Sequence, residues 1–475
     1  MLDQPTYKQD VGVSPASGAA VPSERSCTEG ADAALAQGGL LASSPVAKAV
    51  SKPITRRDLI GAIPGAAAGA AALAAVGVAI ASTGCSSSSD SDDDGTPTVL
   101  EVATNAVVTL ESYTEIEDPD YCCIVDTFLD LPEGIQLFTS GDRIAAALCT
   151  GETARPLSTV ALMSLEAEEF PTVLEQAVSQ DEGYNIYEVR ASDDLLVWVE
   201  SNFLTDDWRV YSASIDPDEL TIGEPTLLDE GDADYDAPEI AAVANQGYWI
   251  VQPSEDGAKT TEDSVLKTNG GVAYTSHGRF NGGLSTSGNS VICMPRADSS
   301  SSVYYQLTAI QNGSVVATQV LPHGFRPSTA TYVDGSFSFG ISAGYDYGDG
   351  IANVGTYISA GDGTWLRLTR TPVTPAGRCN GWFFCKSSSR TVFVDTKRQR
   401  YFTISAPSGT ESYGDYSIRT GECDGTLFNY ATVSELVENE YQRKVVVRSI
   451  KLVKASEALQ DKEDQPEDDG SEDSQ

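Results

Sequence analysis

The residues able to do chemistry are unevenly supplied. There are two histidines, His277 and His323, and each is followed by a glycine in loop-like text. A zinc site built on several histidines is therefore not expected. A Ser-His-Asp triad would have to use one of these two, and neither lies near a recognisable nucleophile motif. Carboxylates are abundant and clustered: Asp206-Asp207, the run Asp232-Ala233-Asp234-Tyr235-Asp236, Glu255-Asp256-Gly257, Glu262-Asp263, and Asp346-Tyr347-Gly348-Asp349-Gly350. Calcium is held by six to eight oxygens from flexible carboxylate-rich loops. Asp232, Asp234, Asp236, Asp346 and Asp349 are the candidate ligands, although none follows EF-hand spacing. The competing reading is solvated charge on exposed loops. No other cofactor is expected.

Of nine cysteines, seven follow position 85: Cys122, Cys123, Cys149, Cys293, Cys379, Cys385 and Cys423. The odd count leaves at least one of these without a partner among them. Cys379 and Cys423 each stand two residues before a turn glycine, at equivalent points of neighbouring repeats. They can approach each other across inner strands, or remain buried thiols. No CxxC motif is present, which argues against redox catalysis. Trp198, Trp208, Trp249 and Trp382 fall at strand positions and are read as packing residues rather than a sugar platform.

Thirty Lys plus Arg stand against 69 Asp plus Glu, a formal charge of -39, and residues 1–84 carry six of each sign, so the remainder keeps the whole imbalance. Such a chain repels phosphate backbones, and nucleic acid is not an expected partner.

The N-terminal text is organised as an address. Residues 1–53, rich in Ala, Ser, Gly and Pro, read as a disordered leader. Within residues 54–85, Thr55-Arg56-Arg57-Asp58-Leu59-Ile60 resembles the twin-arginine export signal, with Arg56 and Arg57 as the paired arginines. A mildly apolar Ala/Gly-rich stretch runs on to Ala81. It ends at Ser82-Thr83-Gly84-Cys85, which resembles a lipobox, departing from the family pattern at Ser82. The resemblance implies export of a folded cargo, lipidation of Cys85 and attachment to the extracytoplasmic face of the cell membrane. Two acyl chains give stable anchoring without a spanning helix. An uncleaved spanning helix and a cleaved, unlipidated signal are the other readings. Residues 86–97, a Ser/Asp run, form a self-repelling tether.

From 98 to 455 the chain reads as short apolar runs broken by Gly, Asn and Asp, a β pattern. A short helix is expected near Thr172–Val178. Turns recur at Gly141, Asp194, Gly247, Gly288, Gly335, Gly381 and Gly425, spaced 53, 53, 41, 47, 46 and 44 residues apart. That period suits four-stranded propeller blades. Units two, three, five and six resolve into four strands each, as in Glu239–Val243, Tyr248–Gln252, Ser264–Thr268 and Val272–Ser276. The seventh lacks an outer strand, and Val99–Val102 or Ala106–Leu110 is expected to supply it. The expectation is an all-β, seven-bladed β-propeller, with six or eight blades or a pair of β-sandwiches as alternatives. The pattern Gln246-Gly247-Tyr248-Trp249-Ile250 resembles TolB-like and WD-repeat propellers, without the WD dipeptide. Ser359–Trp365 faintly resembles the Asp-box of sialidases but reads as a C–D hairpin turn. Residues 456–475 form an acidic, disordered tail.

The functional expectation is a monomeric, membrane-anchored extracytoplasmic lipoprotein that binds a protein or small extracellular ligand on its acidic loop face. The alternative is an exported hydrolase or lyase with carboxylates as acid and base at the channel mouth.

Overall fold

The computed structural model describes residues 97–151, 156–179, 181–254, 262–297, 302–341, 351, 355–368, 377–387, 389–411, 415–438 and 440–458. Arg56, Arg57, Cys85, Asp346 and Asp349 lie outside the described residues.

The described strands form seven sheets, named I to VII here in chain order. Six are up-and-down meanders of consecutive strands. Sheet I runs Ile135–Phe138, Ile144–Thr150, Ser158–Ser164 and Thr172–Leu174. Sheet II is built on Tyr184–Ala191, Leu195–Asn202, Trp208–Asp216 and Thr226–Gly231. Sheet III holds Ile240–Val243, Gln246–Val251, Ser264–Thr268 and Gly271–Ser276. Sheets IV, V and VI continue the pattern from Ser285, Pro327 and Gly377. Sheet VII is composite. Its strands Thr426–Val437 and Glu440–Leu452 are joined by Cys123–Pro132 from the other end of the chain, antiparallel from Cys123↔Leu452 to Pro132↔Lys444.

The sheets are held together by apolar cores that lie between successive members. Along Leu195–Asn202 every residue is buried. Leu196 and Trp198 point into the core shared with sheet I, and Val197 and Val199 into the core shared with sheet III. A strand covered on both faces reads as a continuous apolar run rather than an alternating one. Equivalent cores join III to IV, IV to V, V to VI and VI to VII. A further core joins VII back to I through Leu131, Phe428, Val445, Leu137, Ala145 and Met163. Sheets arranged in this order, with a core between each neighbouring pair, are those of an all-β propeller. Trp198, Trp208, Trp249 and Trp382 are all buried in these cores, as packing residues should be.

The turn positions read from sequence fall at or beside the hairpins that join the first two strands of each unit. Asp334-Gly335 and Asn380-Gly381 have φ values of 49° and 75°, and 48° and 85°. Two consecutive positive φ angles are what a two-residue hairpin turn of right-handed twist requires.

Two expectations are corrected. Thr172–Val178 does not form a helix. Thr172–Leu174 is the outer strand of sheet I, paired with Val160 and Ala161. Its Thr-Val pair is β-branched and follows Pro171, which favours extended backbone. Nor does the segment 99–110 complete the last sheet. Leu100 N–H instead bonds Val320 O at the edge of sheet IV, 2.8 Å away. Val107–Thr109 adds in parallel to the outer strand of sheet V, and Thr114–Glu115 to that of sheet VI. The chain thus passes along three outer edges before Cys123–Pro132 enters sheet VII. Each contact covers backbone groups that an edge strand would otherwise leave unpaired.

Candidate functional site

The loops that link sheets, together with those between second and third strands, share one face. Of the acidic clusters, Asp206-Asp207, Asp232–Asp236 and Glu262-Asp263 lie within the described residues and fall on such loops. In the run Asp232–Asp236, Asp232 accepts the Asp234 N–H at 3.1 Å, closing the loop on itself. The Asp236 N–H bonds Gln252 O at 3.0 Å, and Ser254 N–H bonds Asp234 O at 3.0 Å. The Asp236 carboxylate is ion-paired with Arg279, whose guanidinium also donates to Pro253 O. The carboxylates of Asp232 and Asp236 are therefore engaged by the protein itself. Among the described residues no group of three His, Cys, Asp or Glu side chains is arranged to hold a metal. His277 Nδ1 sits 2.8 Å from Asp263 on the surface.

Beneath this loop the inner strands of sheets II and III gather a second set of carboxylates, which sequence reasoning missed. Glu188 and Arg190 alternate along Tyr184–Ala191 and pair at 2.7 Å. Glu239 precedes the inner strand of sheet III. A Cβ at Gly283 would meet its Oε2 at 2.8 Å, so the III–IV loop passes close to this carboxylate. Burial pushes the Glu188 carboxyl up to about 7, Arg190 opposes the shift, and Glu239 adds to it. Burial first, then the charges of Glu188, Glu239 and Asp236, raise the pKa of the half-exposed Tyr187. Arg190 also lies over the Phe138 ring of sheet I, 3.9 Å from its centroid. The charges of three carboxylates thus bear on one phenol, and one of those carboxyls can take or release a proton near neutral pH. A strand bulge between Ile186 and Glu188 re-aims this stretch. Nothing in the local sequence Asn185-Ile186-Tyr187-Glu188 announces it.

Among the described residues the cysteines resolve into one bond and five free thiols. Cys379 and Cys423 are register partners on parallel inner strands and form a disulfide, their Cα atoms 4.7 Å apart. Cys122, Cys123, Cys293 and Cys385 are buried, and burial raises their thiol pKa values, to about 11 for Cys122 and about 12 for Cys385. Such thiols are poor nucleophiles. Ser359–Trp365 is a hairpin turn in which Asp362 accepts the Thr364 N–H at 2.8 Å.

No family model matches the sequence, and no curated protein matches it. Among solved structures, the chain is similar to a prolyl endopeptidase at 9% identity, over 71% of this chain and 51% of that one, with a TM-score of 0.43. It is also similar to the β-propeller domain of the Trilobed protease from Pyrococcus furiosus at 7% identity, over 65% of this chain and 96% of that one, TM-score 0.41. A third similarity is to apo AztD from Citrobacter koseri at 8% identity, over 62% and 95%, TM-score 0.31. The chain spans about half the length of the endopeptidase it matches. These are likenesses of fold. The architecture itself, an all-β propeller, follows from the sheet order and the cores between sheets.

Proposed function

We propose that this protein is an extracytoplasmic lipoprotein whose propeller is a closed ring of seven blades and serves as a binding module for a cationic ligand. The twin-arginine pattern at Arg56-Arg57 and the lipobox ending at Cys85 support the address and the anchor. The core between sheets VII and I, completed by Cys123–Pro132, supports ring closure. One observation carries the binding reading: the charges of Glu188, Glu239 and Asp236 all bear on the half-exposed Tyr187. Three carboxylates in a partly buried setting attract an amine, or the basic tip of a protein, more strongly than they would in open water. A calcium form of the proposal would draw Asp232 and Asp236 away from their present protein partners to join Asp234.

The test uses the full chain with Cys85→Ala, titrated calorimetrically with spermidine and, separately, with calcium chloride. Spermidine is expected to bind, and Glu188→Gln combined with Glu239→Gln to weaken it at least tenfold. Equal binding by the double variant would remove the reading. Calcium binding lost in Asp234→Asn would support the metal form. In parallel, cells fed a palmitate analogue should label the wild-type chain and not the Cys85→Ala chain.

The second reading, a hydrolase or lyase, draws on the Glu188 carboxyl near 7, which suits a general acid. It predicts turnover of a mixed polysaccharide panel that Glu188→Gln abolishes.

A further inference from the structure

On the opposite face, that of the first hairpin turns, a cavity of about 330 Å3 lies where sheet VII meets sheet I. Its apolar part is formed by Phe128, Leu165, Ile418 and Phe428. The two phenyl rings pack edge to face with centroids 5.1 Å apart. Its wall carries Arg419, only 8% exposed. One end of that guanidinium is held by Asp142, and Nη2 lies 3.5 Å from Ser140 O. The buried Nε has no hydrogen-bond partner among the described residues.

The cavity is lined by charges of both signs. Lys451 is loosely held, 3.8 Å from Asp126 and largely exposed. Glu166 is shared with Arg143 at 3.3 Å. Asp424 sits on the exposed hairpin turn of sheet VII beside the cavity.

We propose that this cavity binds a free α-amino acid with an apolar or aromatic side chain. Nη2 of Arg419 is only weakly engaged, at 3.5 Å from Ser140 O, and is left with capacity for a stronger acceptor. A ligand carboxylate against the Arg419 guanidinium, with Lys451 alongside, forms a charge-assisted bond. A carboxylate alone would meet Asp142, Glu166 and Asp424 as like charges. An ammonium on the same ligand turns Asp424 and Glu166 into partners. The Phe128 and Phe428 rings then receive the side chain. The volume is at the lower end of small-molecule pockets, enough for one amino acid and too small for a folded peptide.

This site shares no residue with the carboxylate cluster of sheets II and III, so either can fail alone. Calorimetric titration of the full chain carrying Cys85→Ala would use L-phenylalanine, L-leucine, 3-phenylpropionate and phenethylamine. At least one amino acid should bind. 3-Phenylpropionate, which lacks the ammonium, and phenethylamine, which lacks the carboxylate, should each bind at least tenfold more weakly than L-phenylalanine. Arg419→Lys should weaken amino-acid binding at least tenfold. Should Arg419→Lys fail to fold, Asp424→Asn on the exposed turn decides. It should weaken L-phenylalanine tenfold and leave 3-phenylpropionate binding no weaker, and tighter where the like charge of Asp424 had opposed it. No binding by either amino acid, equal binding by an analogue, or no effect of Asp424→Asn overturns the proposal.

Discussion

Glu188 couples folding to pH in a direction that its burial dictates. Its carboxyl is raised to about 7 in the folded chain, above the ordinary value of an unfolded glutamate. Between roughly pH 4.5 and pH 7 the folded state therefore binds more protons than the unfolded state, and stability falls as pH rises through that window. Glu188→Gln removes the titration. Its stability relative to wild type should grow from pH 5 to pH 8 by about 1–2 kcal/mol, read from urea midpoints at each pH. A constant difference across the range would show that the carboxyl is not held in the protonated form. At Cys379–Cys423 the disulfide closes a sequence separation of 44 residues. A loop of that size corresponds to about 3–4 kcal/mol. Cys379→Ala combined with Cys423→Ala should lower the urea midpoint accordingly, and the wild-type chain should gain two hydrogens by mass on reduction.

The Cys123–Pro132 strand is the element on which sheet VII depends. It supplies Leu131 to the core between VII and I, and pairs with Glu440–Leu452 over most of its length. A chain beginning at residue 97 should fold with one cooperative transition. A chain beginning at residue 133 should lose near-ultraviolet circular dichroism, because sheet VII then has an open edge and an uncovered core. Much of this architecture is legible in the residues. Ser264–Thr268 is legible to the residue, because its alternation and flanking Asp and Gly turns leave little choice. The closing strand was placed too early, on Val99–Val102 or Ala106–Leu110, for a physical reason. Cys123–Pro132 carries Asp126 and Asp130, shows an exposure pattern broken by a bulge near Phe128, and ends in proline. It does not look like a strand without its partner. Sites fared worse than strands. Asp142 and Arg419, or Glu188 and Glu239, are distant in the chain, and only the assembled sheets bring them together.

At the scale of the whole molecule, the proposed ring closure requires residues from both ends of the propeller sequence to meet, so it cannot finish before nearly all of that sequence has been made. Non-local closure of this kind is slow and leaves edges exposed while it proceeds. That supports the proposed twin-arginine route, in which folding precedes export. Arg56→Lys combined with Arg57→Lys should leave folded, unlipidated protein in the cytoplasm, as fractionation with palmitate labelling would show. Both proposed sites inherit their geometry from the same ring.

The most direct measurement is therefore a cross-link between the chain ends within sheet VII. Ile124 is register partner to Lys451, and both side chains are largely exposed. The account predicts that Ile124→Cys with Lys451→Cys oxidises spontaneously in the folded monomer, and that tryptic mass spectrometry finds the two peptides joined. Free thiols at both positions in folded, oxidised protein would contradict it.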